Sequence, residues 1–148
     1  MASTYLSLHY HIVYSTKNRD PLIRPEWRFR LHEYLGGIIN KLGGHSQGAG
    51  GVADHVHLLV GLKATHCLSD VLRELKKSSS VWIHDELGSR SFNWQEGYAA
   101  FTVGAPSRPS VQNYIARQEQ HHLVKSFREE LMEMLEMAGV EYDSKYLD

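Results

Sequence analysis

His55-Val56-His57-Leu58-Leu59-Val60-Gly61-Leu62 reads as the strongest strand in the chain, and the fold follows from it. The run is apolar and rich in strand-forming residues, and a turn precedes it. Side chains two apart share a strand face, so His55 and His57 project together, two rises of roughly 3.3 Å apart. Val56 points to the opposite face and is expected to enter a core. Before this strand, residues 45–52 are glycine-rich and predict a weaker strand. Further back, Pro25 suits a first helical turn, and Trp27, Leu31, Tyr34, Leu35, Ile38 and Leu42 recur at helical spacing until Gly43-Gly44. At the start, TYLSLHYHIVYS (residues 4–15) alternates. Leu6, Leu8, Tyr10, Ile12 and Tyr14 fall on one face, and Ser7, His9, His11 and Val13 on the other, as in a half-buried strand.

Beyond the strand, Thr65 or Ser69 is placed to cap a helix reaching about Leu87, with Leu68, Leu72, Leu75, Ser79 and Trp82 as its inner stripe. GYAAFTVG (97–104) predicts a fourth strand. Ser107 or Ser110 would cap a helix over about 108–122 that carries Tyr114 and Gln118. Ser126 with Glu129 is a capping-box pattern opening a last helix over about 126–138, with Gly139 after it. Strand, helix, strand, strand, helix, strand is the split βαβ order. The expectation is a single α+β domain over residues 1–148. It would be a ferredoxin-like antiparallel sheet with helices on one face, plus C-terminal helices. That fold serves many functions, so the chemistry must come from the residues.

Bulk composition narrows the field. The 148 residues and 42% hydrophobic content suffice for one packed core. No run approaches the ~18 apolar residues of a membrane helix, and the start carries no leader pattern. The one cysteine, Cys67, excludes an internal disulfide and a multi-cysteine zinc site, and a reducing cytoplasm fits it. A net charge of −1 argues against coating nucleic acid by bulk electrostatics, though not against a local basic patch. Ten histidines are many for this length, and imidazole is the commonest metal ligand.

Two patterns carry chemistry. The paired imidazoles of His55 and His57 can converge on one ion; the alternative is two polar residues on an exposed strand face. Asp54 should face away from them on a regular strand. Tyr114 and Gln118, four apart, would share one helical face. A phenol with a reference pKa near 10 is a weak nucleophile, favoured as phenolate beside a cation. A glutamine carbonyl is a hard neutral ligand suited to magnesium or manganese. The alternative is an ordinary amphipathic surface. His121 and His122 read as structural or solvent-facing, and Glu129 and Glu130 as capping and helix-dipole residues, not catalytic acids.

With these elements in place, the chain resembles the single-tyrosine HUH transposases of the insertion-sequence 200/605 family (TnpA-like). The resemblance runs through YHIVYSTKNRDPL, DHVHLLV, LRELKKSSS, WQEGYAAFTVG, VQNYIARQEQHH and GVEYDSKYL. It implies a homodimer in which the tyrosine helix of one chain often serves the metal site of the other. It implies that Tyr114 forms a 5′-phosphotyrosine link and that Gln118 completes a divalent metal site (Mg or Mn) with His55 and His57. The substrate it implies is single-stranded DNA beside a folded hairpin. Candidate phosphate contacts are Lys17, Arg19 and Arg24 in the first loop and Arg73, Lys76 and Lys77 on the second helix. Each is otherwise a solvated cation. Three competing readings are a non-catalytic RNA-recognition-like binding module, a hydrolase that activates water on its metal, and a domesticated relative that processes repeated chromosomal hairpins.

Overall fold

A computed structural model describes residues 3–147. Among them the strands are β1 (His9–Ser15), β2 (His45–Gly51), β3 (His55–Gly61) and β4 (Ala99–Val103). The helices are α1 (Arg28–Lys41), α2 (Leu68–Glu86), α3 (Arg108–Ala116), α4 (Gln118–His121) and α5 (Phe127–Met137). The strands form one antiparallel sheet in the order β2-β3-β1-β4, as the split βαβ pattern requires. No helix among the described residues is long and apolar enough to cross a membrane.

Strand parity divides the molecule into two sides. Ile12 and Tyr14 of β1 and Val56, Leu58 and Val60 of β3 face α1 and α2, and they bury against Leu31, Leu35, Ile39, Leu72, Leu75 and Ile83. The opposite parity gives a smaller cluster of Leu59, Val103 and Ile115, where α3 lies on the sheet. This second side also carries His11, His55 and His57. The C-terminal helices cover it, so the exposed-face alternative for the histidine pair does not hold: both are 0% exposed.

The first strand is shorter than its alternation predicts. It begins at His9, which pairs with Gly61 of β3 and Val103 of β4, the last residues of both neighbours. Earlier residues have no ladder to join, and Leu6 is 54% exposed. The glycine-rich stretch does form β2, with an irregular register between Ser46 and Gly48. A Cβ on Gly50 would lie 2.4 Å from the Ile115 carbonyl oxygen, so glycine here lets α3 rest on the strand.

Pro25 opens a short 3₁₀ turn, Pro25–Trp27, before α1 proper. The N-cap of α2 is Cys67, without a side-chain cap bond, and not Thr65 or Ser69, because the helix starts between them. Trp82 is only partly buried and stacks on Tyr34, ring centroids 4.4 Å apart at 7°. Ser79 stays inside, where it accepts a hydrogen bond from Trp94 Nε1 at 2.9 Å. The expected continuous helix over 108–122 is broken at Arg117 (φ −104°, ψ 22°), so Tyr114 and Gln118 sit on consecutive helices. Ser126 and Glu129 form the full capping box of α5.

Candidate active site

Four elements deliver side chains to one buried point on the second side of the sheet. β3 supplies His55 and His57, ring centroids 5.0 Å apart. β1 supplies His11, whose Nε2 lies 2.8 Å from His57 Nδ1. The α3–α4 segment supplies Tyr114 and Gln118. The Tyr114 ring stands edge-on to His57 with centroids 5.8 Å apart, and Gln118 Oε1 is 3.0 Å from His55 Nε2. α5 supplies Glu130, only 1% exposed.

The two oxygens of Glu130 face different partners. Oε1 is 2.9 Å from His57 Nε2 and 3.5 Å from His55 Nε2. Oε2 accepts hydrogen bonds from the Tyr114 hydroxyl and, at 3.2 Å, from Gln118 Nε2. His121 Nε2 lies 3.2 Å from Oε2, and His122 Nε2 lies 2.9 Å from Gln118 Oε1. Phe127 stacks on the outer side of His55 at 4.2 Å.

Ligand atoms of His55, His57, His122 and Glu130 all fall within 4.8 Å of one another. A divalent ion bound at about 2.1 Å separates adjacent ligand atoms by roughly 3–4 Å. The donor set therefore fits such an ion with little contraction.

The electrostatics of the cluster reflect its burial. Burial pulls His55 down, but hydrogen bonds to Asp54 and Glu130 outweigh it and raise the imidazole to about 9. His57 is lowered to about 4, mainly by burial and against the pull of Glu130. His11 drops to about 3 through burial and the neighbouring His57. Burial pushes the Glu130 carboxyl up, yet hydrogen bonds from His122, His55 and His57 hold it far below the usual carboxylate range. Burial, then the adjoining Glu130 carboxylate, keeps the Tyr114 phenol protonated well above its ordinary value. Metal ligation needs neutral imidazoles, so cation and proton compete at this point.

Residues 4–118 match the family described as "Transposase IS200 like", more than half of the chain. The chain belongs to the IS200-like transposase family. Membership assigns a transposase role, which is that of a DNA-cleaving enzyme in recombination. Two relatives, both "Transposase for insertion sequence element IS200", come from Salmonella typhimurium and Salmonella typhi. Each is 29% identical over 124 residues, covering 80% of this chain and 81% of the relative. A solved structure of a candidate transposase from Deinococcus radiodurans R1 is similar at TM-score 0.62 and 25% identity, covering 80% of this chain and 96% of that one. The structure of a REP-associated tyrosine transposase bound to a REP hairpin shares the fold at TM-score 0.60. It is 14% identical and covers 82% of this chain and 73% of that one.

In this IS200-like chain, His55, His57, Tyr114 and Gln118 meet within a single polypeptide. Five further residues join them: His11, expected only as a strand residue, Glu130, His121, His122 and Asp54. Glu130, read as a capping residue, is turned inward; Glu129 alone caps. Phe127 three residues earlier shares its face, and that expected apolar position was the available clue. His121 and His122 are not merely solvent-facing: His121 reaches Glu130, and His122, one helical turn beyond Gln118 on the same face, reaches Gln118 Oε1. Asp54, expected to face away, contacts one of the two histidines: its Oδ1 accepts from His55 Nδ1 at 2.7 Å.

The basic residues divide into two places. Arg19 lines a hollow of about 410 Å³ with Asp54, His122 and Lys125, beside the site, and Lys17 and Arg24 are exposed nearby in the same loop. Arg73, Lys76 and Lys77 line a separate groove with Trp94 and Tyr98. Lys76 Nζ is occupied there, donating to the carbonyls of Gln95, Glu96 and Gly97 at 2.8, 3.0 and 2.7 Å. Arg73 pairs with Asp70 at 2.9 Å.

Proposed function

We propose that this transposase cleaves and rejoins single-stranded DNA at hairpin-marked ends through a covalent Tyr114 intermediate. The supporting observation is the meeting of a phenol hydroxyl, two paired imidazoles and a carboxamide at one buried point. In cleavage, the Tyr114 oxygen attacks the scissile phosphorus. The O–P bond to tyrosine forms, the P–O3′ bond breaks, and a 3′-hydroxyl leaves after taking a proton from solvent. The phenol proton is lost to solvent as the O–P bond forms. The product is a 5′-phosphotyrosine ester. That link keeps the phosphodiester energy, so a 3′-hydroxyl reverses it without a nucleotide cofactor.

His55, His57 and Gln118 would hold Mg2+ or Mn2+, which supplies Lewis-acid polarisation and orientation of the phosphate. Arg19 stands where a phosphate entering beside His122 would pass, with Lys17 and Arg24 along the same loop; Arg73 and Lys77 mark a second track, from which Lys76 is withdrawn because its ammonium is tied to three backbone carbonyls. Single strands and hairpin ends expose bases that a duplex hides, which suits such a surface. The working unit is a homodimer in the cytoplasm.

The test is a labelled single-stranded hairpin oligonucleotide incubated with the protein and Mn2+, then run on a denaturing gel. A DNA-labelled band at protein mass is expected. Tyr114→Phe should abolish it while hairpin binding survives. Free 5′-phosphate ends without an adduct would mean water attack and overturn the proposal.

A further inference from the structure

Each of three imidazoles at this centre is held from behind. His55 Nδ1 donates to Asp54 Oδ1 at 2.7 Å, His122 Nδ1 donates to the Lys125 carbonyl at 2.6 Å, and His57 Nδ1 meets His11 Nε2 at 2.8 Å. All three Nε2 atoms turn inward on the same point, at 3.5, 3.3 and 2.9 Å from Glu130 Oε1 for His55, His122 and His57. An outer partner on the far nitrogen fixes tautomer and ring orientation, and metal-ligating histidines almost always have one. His122 has this support although it lies outside the His-Val-His strand. Glu130 is 1% exposed, and among the described residues its Oε1 faces the Nε2 atoms of His55, His57 and His122.

We propose that His122 and Glu130 are metal ligands alongside His55 and His57, making a three-imidazole, one-carboxylate centre selective for a transition-metal dication over Mg2+. This rests on the reading that the site binds a metal. With Gln118 Oε1 retained, five protein atoms surround the ion, and a six-coordinate ion keeps one position for a phosphate oxygen. Mg2+ dehydrates reluctantly and keeps several waters, so a nitrogen-rich set with so few open positions disfavours it. Imidazole binds the later divalent metals more tightly. The carboxylate serves both sides, Oε1 toward the metal position and Oε2 toward the Tyr114 hydroxyl.

Titration of the full chain with Mn2+ alone, read by the spin-resonance signal of free aquated Mn2+, tests this without DNA. One ion per chain is expected, displaced by Mg2+ only at roughly hundredfold excess or more. Glu130→Gln and His122→Ala should each weaken Mn2+ binding by at least about tenfold, with near-ultraviolet circular dichroism confirming the fold. Affinity within about twofold of the parent in both variants, together with loss in His55→Ala, would overturn this ligand set while leaving the histidine-pair site intact. Tight binding in His55→Ala as well would remove both. Should a variant fail to fold, spin-echo spectra of the Cu2+-loaded parent chain count coupled imidazoles. Three are expected, and two would dismiss His122.

Discussion

At the scale of the residue, burial lowers His11, His32 and His57, while at His55 hydrogen bonds to carboxylates outweigh it. His32 on α1 is 8% exposed, and its buried Nε2 has no hydrogen-bond partner among the described residues. Burial, then the nearby Arg28 guanidinium, lowers it from 6.5 to about 4. Unfolded, this imidazole binds a proton near pH 6.5; folded, it resists until about pH 4. The unfolded state therefore holds more protons across that window, and stability falls as pH drops through it. The full difference corresponds to roughly 3 kcal/mol. Urea denaturation at pH 7 and pH 4.5 should show His32→Leu losing less stability on acidification than the parent; equal losses would discount the assignment. Spacing alone made His55 and His57 legible, because strand parity is local. Glu130 was not, since neighbouring Glu129 has the same chemistry and only the docking of α5 separates their roles.

At the scale of the element, β2 and α3 explain how Tyr114 is held. The glycines that make β2 a weak strand by propensity remove the side chains that would keep α3 off the sheet. Gly50→Ala would drive a methyl into the Ile115 carbonyl, one residue from Tyr114, with Ile115 Cγ2 only 2.9 Å away as well. Overpacking of this kind costs typically 1–3 kcal/mol. A lower melting temperature is expected, along with a loss of DNA adduct larger than any loss of hairpin binding. A variant that melts and reacts like the parent would contradict the close approach. Helix phase was readable for α5, where the capping box sets its start. It was not readable across Arg117, because nothing in RQEQHH marks a break. Beyond the break the four-residue spacing from Gln118 to His122 is helical and was readable, and His122 Nε2 lies 2.9 Å from Gln118 Oε1.

At the scale of the whole molecule, the groups of the candidate site meet within one chain, although the family resemblance points to dimers that exchange their tyrosine helices. Tyr114, Gln118 and Glu130 all contact the chain's own histidines or one another. Mixing Tyr114→Phe protein with His57→Ala protein should then yield no DNA adduct, because neither chain holds both nucleophile and intact imidazole pair. Adduct restored by mixing would show exchange between subunits. The near-neutral net charge is compatible with DNA binding here because the cations are local. One group borders the centre and the other lies in the α2 groove beside Trp94 and Tyr98.

The sequence by itself determined the element order, the antiparallel sheet, the outward parity of His55 and His57, and the residues that carry the family resemblance. These depend on periodicity and turn chemistry within a few residues, and such rules are local. Only the tertiary structure decided that the histidine face is covered and not solvated, and that Glu130 and His122 enter the centre. It also decided that Lys76 is tied to three carbonyls. Those outcomes depend on how α3, α4 and α5 pack back across the sheet, and a single segment's pattern marks such long-range burial only faintly, as Phe127 does for Glu130 on the same helical face.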